Sequence, residues 1–284
     1  MSIVCLFPGQ GSQSVGMGGA LFERFADWTS DADRILGYSI RELCLKDPRG
    51  ELGLTQFTQP ALFVVNALTW RARQEDGKAA PAFVAGHSLG EYNALLAAGV
   101  FDFATGLTLV RERGALMGRV SGGGMAAVIG LPPERITDIL ASSEAGRRLD
   151  VANYNAFDQT VIAGPVADIE AVKADFDAAG VRAFTPLKVS APFHSRYMRA
   201  AMDEFGSVLA GCAFAAPIIP VISNVTAAPY PADDVRGTLA KQIGNSVRWL
   251  DSMVGLLDRG LTEFEEVGPG NVLSKLIVRI RKAR

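Results

Sequence analysis

Gly86-His87-Ser88-Leu89-Gly90 matches G-x-S-x-G. It stands between an apolar run, Ala82 to Ala85, that reads as a strand and an Ala/Leu-rich run, Leu89 to Ala98, that reads as a helix. In that setting the glycines permit a tight turn, Ser88 Oγ projects from it, and the helix N-terminus offers N–H groups to an oxyanion. The alternative is an ordinary turn with a capping serine. An unassisted hydroxyl is a weak nucleophile and needs a base. The chain holds only two histidines, His87 and His194. Neighbours on a tight turn point different ways, so His87 is a poor partner for Ser88 and reads as a structural member of the elbow. His194, in Ser190-Ala-Pro-Phe-His-Ser195, is then the candidate base, although a lone loop histidine is often structural. No Asp or Glu occupies an obvious orienting position beside it. A dyad whose imidazole is held by a backbone carbonyl and a full triad both remain open.

Two further segments carry possible chemistry. Phe7-Pro-Gly-Gln-Gly-Ser-Gln13 is a weak dinucleotide fingerprint, because the third glycine is missing and Pro8 interrupts the strand end. It suits a backbone nest facing a developing oxyanion, or a purely structural turn. Arg113 falls inside an apolar stripe formed by Phe103, Leu107, Leu109, Val110, Leu116 and Met117, whereas Arg111 and Glu112 lie off it. A guanidinium on a core-facing side needs a partner. An internal salt bridge or a snorkelling stem is the plain reading, and a bidentate clamp for a substrate carboxylate the functional one.

The elements that must position these residues alternate. A strand Ile3 to Phe7 precedes helices at about Gly19 to Leu36 and Thr58 to Gln74, then come the elbow strand and its helix, which Gly99 is placed to terminate. Asp102 can cap a helix running to about Met117. This rhythm predicts an α/β fold with a parallel sheet. After Gly122-Gly-Gly124 the order becomes strand (Met125 to Ile129), helix from Pro132, two strands (Asp150 to Asn153 and Gln159 to Ala163), helix (Ala167 to Ala179) and strand (Ala183 to Val189). That is a split βαβ arrangement, read as an inserted subdomain. The predicted boundaries are 1–121 with 190–284 for the large unit and 122–189 for the small one. Beyond the insertion, Ile218 to Ser223 reads as a strand, Val235 to Ile243 as helix and Glu263 to Val267 as a last strand before a C-terminal helix.

Composition narrows the function. The 284 residues are 49% hydrophobic and 20% charged, with 28 cations against 30 anions and a net charge of −2. No basic excess marks a nucleic-acid binder, and no run reaches the roughly 18–20 apolar residues of a membrane span. The N-terminus lacks a basic and apolar leader, so a cytoplasmic protein is expected and the Asn224-Val-Thr226 sequon reads as idle. Cys5, Cys44 and Cys212 are far apart, which argues against a disulfide scaffold or a cysteine metal site, and two histidines leave little for an imidazole centre. No metal and no cofactor are expected. The cations of Arg279-Ile-Arg-Lys-Ala-Arg284 fit the ordinary helix C-terminal pattern, with contact to an acidic partner as the alternative.

Taken together, Phe7–Gln13, Thr58-Gln-Pro-Ala61, Gly86–Tyr92, Arg113-Gly114, Asn153-Tyr-Asn155, Phe193-His-Ser195 and Val267-Gly-Pro-Gly270 resemble the malonyl-CoA:acyl carrier protein transacylase family over essentially the whole chain. Gly37-Tyr-Ser-Ile40 and Gln56 to Ala67 are more similar still to the discrete acyltransferases that serve trans-acyltransferase polyketide synthases. The resemblance implies an α/β-hydrolase-like large domain with a parallel sheet core and an inserted ferredoxin-like (βαββαβ) small subdomain. It implies Ser88 as the acylated nucleophile and His194 as its base, with the backbone N–H groups of Gln10 and Leu89 as the oxyanion hole. It further implies the backbone carbonyl of Gln242 as the group orienting His194, Arg113 as the partner of the malonyl carboxylate, and Gln59, Asn155 and Phe193 as substrate-binding positions. The implied substrate is malonyl-CoA and the acceptor an acyl carrier protein with its phosphopantetheine thiol; nothing in the sequence demands more than a monomer. Two departures stand out. Pro192 replaces a small residue in the selectivity loop, and Asn93 replaces Ser, Thr or Ala, with little consequence expected. A thioester hydrolase clearing carrier proteins, the malonyl-transferring subunit of malonate decarboxylase and a non-enzymatic docking subunit are the rival readings. Arg113 argues against the first, because related proofreading hydrolases tend to lack it.

Overall fold

The computed structural model describes residues 2–284. In chain order the elements are β1 (Ile3–Phe7), α1 (Leu21–Arg24), α2 (Ala26–Leu36), α3 (Ile40–Lys46), α4 (Thr55–Glu75), β2 (Phe83–Gly86), α5 (Gly90–Ala97) and α6 (Phe103–Arg119). There follow β3 (Gly123–Ile129), α7 (Pro133–Ser142), α8 (Glu144–Arg147), β4 (Asp150–Ala156), β5 (Gln159–Pro165), α9 (Val166–Ala178) and β6 (Ala183–Pro186). The chain closes with α10 (Arg199–Ala210), β7 (Val221–Ile222), α11 (Val235–Ala240), α12 (Trp249–Asp258), β8 (Glu263–Glu266) and α13 (Val272–Ala283).

Two sheets result. The first is parallel in the order β7-β2-β1-β8, and its strands β1 and β2 are apolar throughout because helices cover them. The second is antiparallel in the order β4-β5-β3-β6, with α7 and α9 packed over Ala126, Val128 and Ile162, α9 through its Val172 and Phe176. The fold is thus mixed α/β, a parallel core plus a separate antiparallel sheet built from residues 123–186. The two are stitched together at β4, where Tyr154 N donates to Val247 O and Val247 N to Ala152 O.

Several expected elements shift for identifiable reasons. The helix expected over Gly19 to Leu36 breaks at Phe25, whose ring turns into the core at 1% exposure. The strand expected to reach Val189 stops at Pro186, and beyond it Leu187, whose N–H still donates to Met125 O, and Val189 line a cavity. Only Val221 and Ile222 pair in the expected Ile218 to Ser223 strand. Pro220 has no N–H to donate, and Ile218 is exposed. The helix expected over Val235 to Ile243 ends at Ala240 and tightens into a 3₁₀ turn at Gln242–Gly244. Helices α3, α10 and α12 go beyond the sequence reading, although Ala201, Phe205 and Leu209 of α10 recur every four residues and are all buried. Asp102 caps α6 through Thr105 N, and Gly99 adopts the left-handed conformation after α5, both as expected.

Candidate active site

Chain geometry at the elbow follows from its glycines. A Cβ on Gly86 would lie 1.9 Å from Gly90 C, one on Gly90 2.0 Å from Phe7 O, and one on Gly9 2.3 Å from His87 O. Three backbone segments therefore cross in contact, and the turn between β2 and α5 forces Ser88 to φ +51°. A serine in this left-handed region is strained, and the surroundings must hold it. Asn224 does so: its Oδ1 accepts from Ser88 N at 2.7 Å and its Nδ2 donates to Gly86 O at 2.7 Å.

Ser88 Oγ lies 2.7 Å from His194 Nε2. His194 is itself at φ +57° and 4% exposed, and its Nδ1 lies 3.0 Å from Gln242 O and 3.1 Å from Asn245 O. Both carbonyls only accept, so Nδ1 carries the proton and Nε2 is left to accept from Ser88 Oγ–H. Burial, and then the Arg113 charge, push the imidazole down to about 3, which keeps it neutral. The open choice between dyad and triad closes on a dyad with two backbone carbonyls. The 3₁₀ turn that replaces the end of the expected helix is what turns them toward the ring.

Arg113 is fully buried on α6. Gly114 lets α6 approach α4 closely, since an added Cβ would meet Gln56 Cα and Thr55 O at 3.3 Å. The guanidinium donates to Gln59 Oε1 at 2.7 Å, Gln242 Oε1 at 2.8 Å and Ser88 Oγ at 3.2 Å, and stands 5.4 Å from the Tyr92 ring centroid. Its Nε meets no acceptor. No carboxylate of the protein pairs with it among the described residues, so neither the salt bridge nor the snorkelling stem is found. The result is a buried cation with donor capacity to spare beside the serine.

A cavity of about 100 Å³ joins these groups, lined among others by Gln10, Gln59, Ser88, Leu89, Arg113, Phe193 and His194. The backbone N–H groups of Gln10 and Leu89 meet no acceptor among the described residues, as suits donors kept for an oxyanion. Met117, Met125, Leu187 and Val189 supply an apolar wall. A wider groove of about 690 Å³ opens on the other side of His194, between β4 and the turn at 244–246, and carries Arg147, Arg196 and Arg199. Asp150 engages Arg196, whereas Arg199 has no acidic partner among the described residues.

Asn155 does not line the cavity, contrary to the resemblance. Irregular register along β4 leaves Asn153 on the lining, and Asn155 Oδ1 accepts from His87 Nε2 at 2.8 Å. His87, bonded there through Nε2 and 5.4 Å from the Trp249 ring, also borders the cavity. Pro192 packs on Gly123, where a Cβ would lie 2.5 Å from the proline ring, which fixes the loop carrying Phe193 against β3. Asn93 has more consequence than expected. It accepts from Asn66 Nδ2 and donates to Phe63 O, and Asn66 Nδ2 also donates to Pro8 O, so a buried amide chain anchors the Gln10 loop.

Three residues escaped the sequence reading. Glu91, Asn224 and Tyr230 are buried behind the site and bonded to one another. Glu91 had a signal, a carboxylate one turn after Ser88 in an otherwise apolar helix. The sequon is indeed idle as such, because Asn224 is 2% exposed and tied to the elbow. Among the described residues no group of His, Cys, Asp or Glu side chains is placed to hold a metal ion, and no helix is long and apolar enough to cross a membrane.

Ser88 Oγ bonded to a neutral imidazole beside two open backbone donors is an arrangement suited to acyl transfer. The family model for the acyl transferase domain matches residues 4–278, and the chain belongs to that family. It is 53% identical over 280 residues to the polyketide biosynthesis malonyl CoA-acyl carrier protein transacylase BaeC of Bacillus velezensis, covering 98% of this chain and 96% of that protein. The crystal structure of malonyl CoA-acyl carrier protein transacylase from Burkholderia pseudomallei superposes with a TM-score of 0.96 at 50% identity, covering 100% of this chain and 99% of that one. A malonyl-transacylase in complex with its type II polyketide synthase acyl-carrier protein gives 0.94 at 37% identity, covering 99% and 94%.

Proposed function

We propose that the protein moves a malonyl group from malonyl-CoA to the phosphopantetheine thiol of an acyl carrier protein, in polyketide synthesis, as a discrete acyltransferase. The observation that carries this reading is the buried Arg113 beside Ser88 with no carboxylate of its own. A hydrolase of simple acyl chains has no use for such a cation, and no observation favours the decarboxylase-subunit or docking-subunit readings.

Ser88 Oγ attacks the thioester carbonyl while its proton passes to His194 Nε2, and the oxyanion rests on the N–H groups of Gln10 and Leu89. The C–S bond breaks, the CoA sulfur takes the proton from His194, and a malonyl-Ser88 ester remains. The carrier thiol then gives its proton to His194, its sulfur attacks the ester, and Ser88 Oγ regains the proton as it leaves. Gln242 O keeps the imidazole oriented through both halves, Arg113 holds the malonyl carboxylate, and Gln59 and Phe193 bound the acyl group. The chemistry needs no cofactor beyond substrate and acceptor. CoA and a phosphopantetheinylated carrier are both anionic, which suits the arginines of the groove beside His194. Residues 122–189 serve as an inserted unit whose β4 supports that groove. A monomer in the cytoplasm completes the reading.

Intact-mass measurement after brief exposure to malonyl-CoA tests it. The wild type gains one malonyl adduct that is discharged by a holo carrier protein, and Ser88→Ala gains none. A wild type that stays unmodified overturns the reading.

A further inference from the structure

Arg113 and Glu91 are both 0% exposed, yet they do not touch. Between them stands the Gln242 amide: its Oε1 accepts from Arg113 at 2.8 Å, and its Nε2 donates to Glu91 Oε2 at 2.7 Å and to Ser88 O at 2.7 Å. The other Glu91 oxygen accepts from the Tyr230 hydroxyl at 2.6 Å and from Asn224 N at 3.0 Å. Asn224 in turn holds Ser88 N, and Gln242 O accepts from His194 Nδ1. One carboxylate therefore braces the supports of the nucleophile, the base and the buried cation.

The bonding capacities make the arrangement one-way. An ionised carboxylate only accepts, so Gln242 can face it only with its NH₂, and its carbonyl oxygen is then obliged to face Arg113. A direct ion pair would satisfy the guanidinium and compete with any incoming carboxylate. With an amide interposed, the cation keeps a counter-charge in the same buried region and retains free donors.

We infer that Glu91 is a positioning residue for malonyl recognition: by orienting the Gln242 amide it aims Arg113 at the substrate carboxylate while leaving that cation unpaired. The inference rests on the malonyl-transfer reading. A role in charge alone, or in stability alone, has a different signature. Removing a buried negative charge near Arg113 would by itself favour an anionic acyl group and raise the preference for malonyl over acetyl. Loss of stability lowers the acylatable fraction and leaves that preference unchanged.

The experiment measures kcat/KM for malonyl-CoA and acetyl-CoA at pH 8, per acylatable enzyme as counted by intact mass, in wild type, Glu91→Gln and Glu91→Asp. In Glu91→Gln only one of the two acceptor sides survives, so either Gln242 Nε2 or Asn224 N is left facing an NH₂. In Glu91→Asp the charge stays, but the carboxylate stops one methylene short of Gln242. The malonyl-to-acetyl ratio is expected to fall at least tenfold in Glu91→Asp, and in Glu91→Gln not to rise. A ratio that is unchanged or higher in Glu91→Asp overturns the inference. Should Glu91→Gln fail to fold, the Asp variant decides alone. If the wild type does not load malonyl at all, the functional reading fails instead, which this comparison separates.

Discussion

At the scale of single residues, the site depends on where polar groups meet no partner. Arg113 is buried with an unpaired Nε, and the N–H groups of Gln10 and Leu89 face the same cavity without acceptors. Buried donors left open in this way are costly unless a ligand completes them. Arg113→Ala therefore has a selective consequence. Truncating one side of a buried charge pair costs about 2–5 kcal/mol, so malonyl transfer should fall by a factor of roughly 30 to 5,000. Acetyl transfer, which presents no carboxylate, should fall far less. Parallel loading assays with the two thioesters check this, and equal losses would make Arg113 purely structural. The sequence carried Arg113 as a charge inside an apolar stripe and Ser88 as a motif. It carried no sign that Asn155 turns to His87 instead of the cavity, because side-chain direction along an irregular strand depends on its neighbours.

At the scale of elements, the site exists because three backbone segments cross without side chains between them. Gly90 sits against Phe7 O, which ties the start of α5 to the end of β1 and so places the Leu89 and Gln10 N–H groups on one cavity. Gly90→Ala should destabilise the protein by ~3 kcal/mol, the upper end for overpacking, because the backbone it meets cannot yield. Gly118→Ala is the natural comparison. That glycine lies inside α6 with its nearest contact at 3.7 Å, and alanine there should be neutral or stabilising by up to ~1 kcal/mol. Thermal unfolding of the two variants checks the contrast, and similar melting temperatures would refute the crossing argument. Strand and helix order was legible because each element carries its own period. The ends were not. The 3₁₀ turn at Gln242–Gly244 and the early stop of β6 at Pro186 are set by the loop that must reach His194 and the cavity.

At the scale of the whole molecule, placing the base inside the fold makes stability depend on pH. His194 is held neutral with its pKa lowered from 6.5 to about 3, so the unfolded chain binds the extra proton between those values. Its contribution is present above 6.5 and is lost progressively as the pH falls toward 3. Glu91, pushed by burial from 4.5 up to about 7, has the opposite sense, stabilising on acidification between those values. In His194→Phe only the first contribution disappears, so the urea midpoint of the variant should fall less steeply than that of wild type between pH 6 and 4. Parallel slopes would show that His194 takes up its proton in the folded state. The C-terminal cations behave as part of the fold: Arg279 bonds Asp158, Arg281 donates to Thr262 O, and Arg284 pairs with Asp258. What the sequence alone determined is the alternation of elements, the elbow, the shortage of imidazole and the misplaced guanidinium, all local patterns of residue type. Only the tertiary structure decided that His194 leans on two carbonyls, that Arg113 stays free of any carboxylate, and that Glu91, Asn224 and Tyr230 brace them. Those relations join residues 48 to 151 positions apart, and what selects them is the need to satisfy every buried polar group at once, which no local pattern encodes.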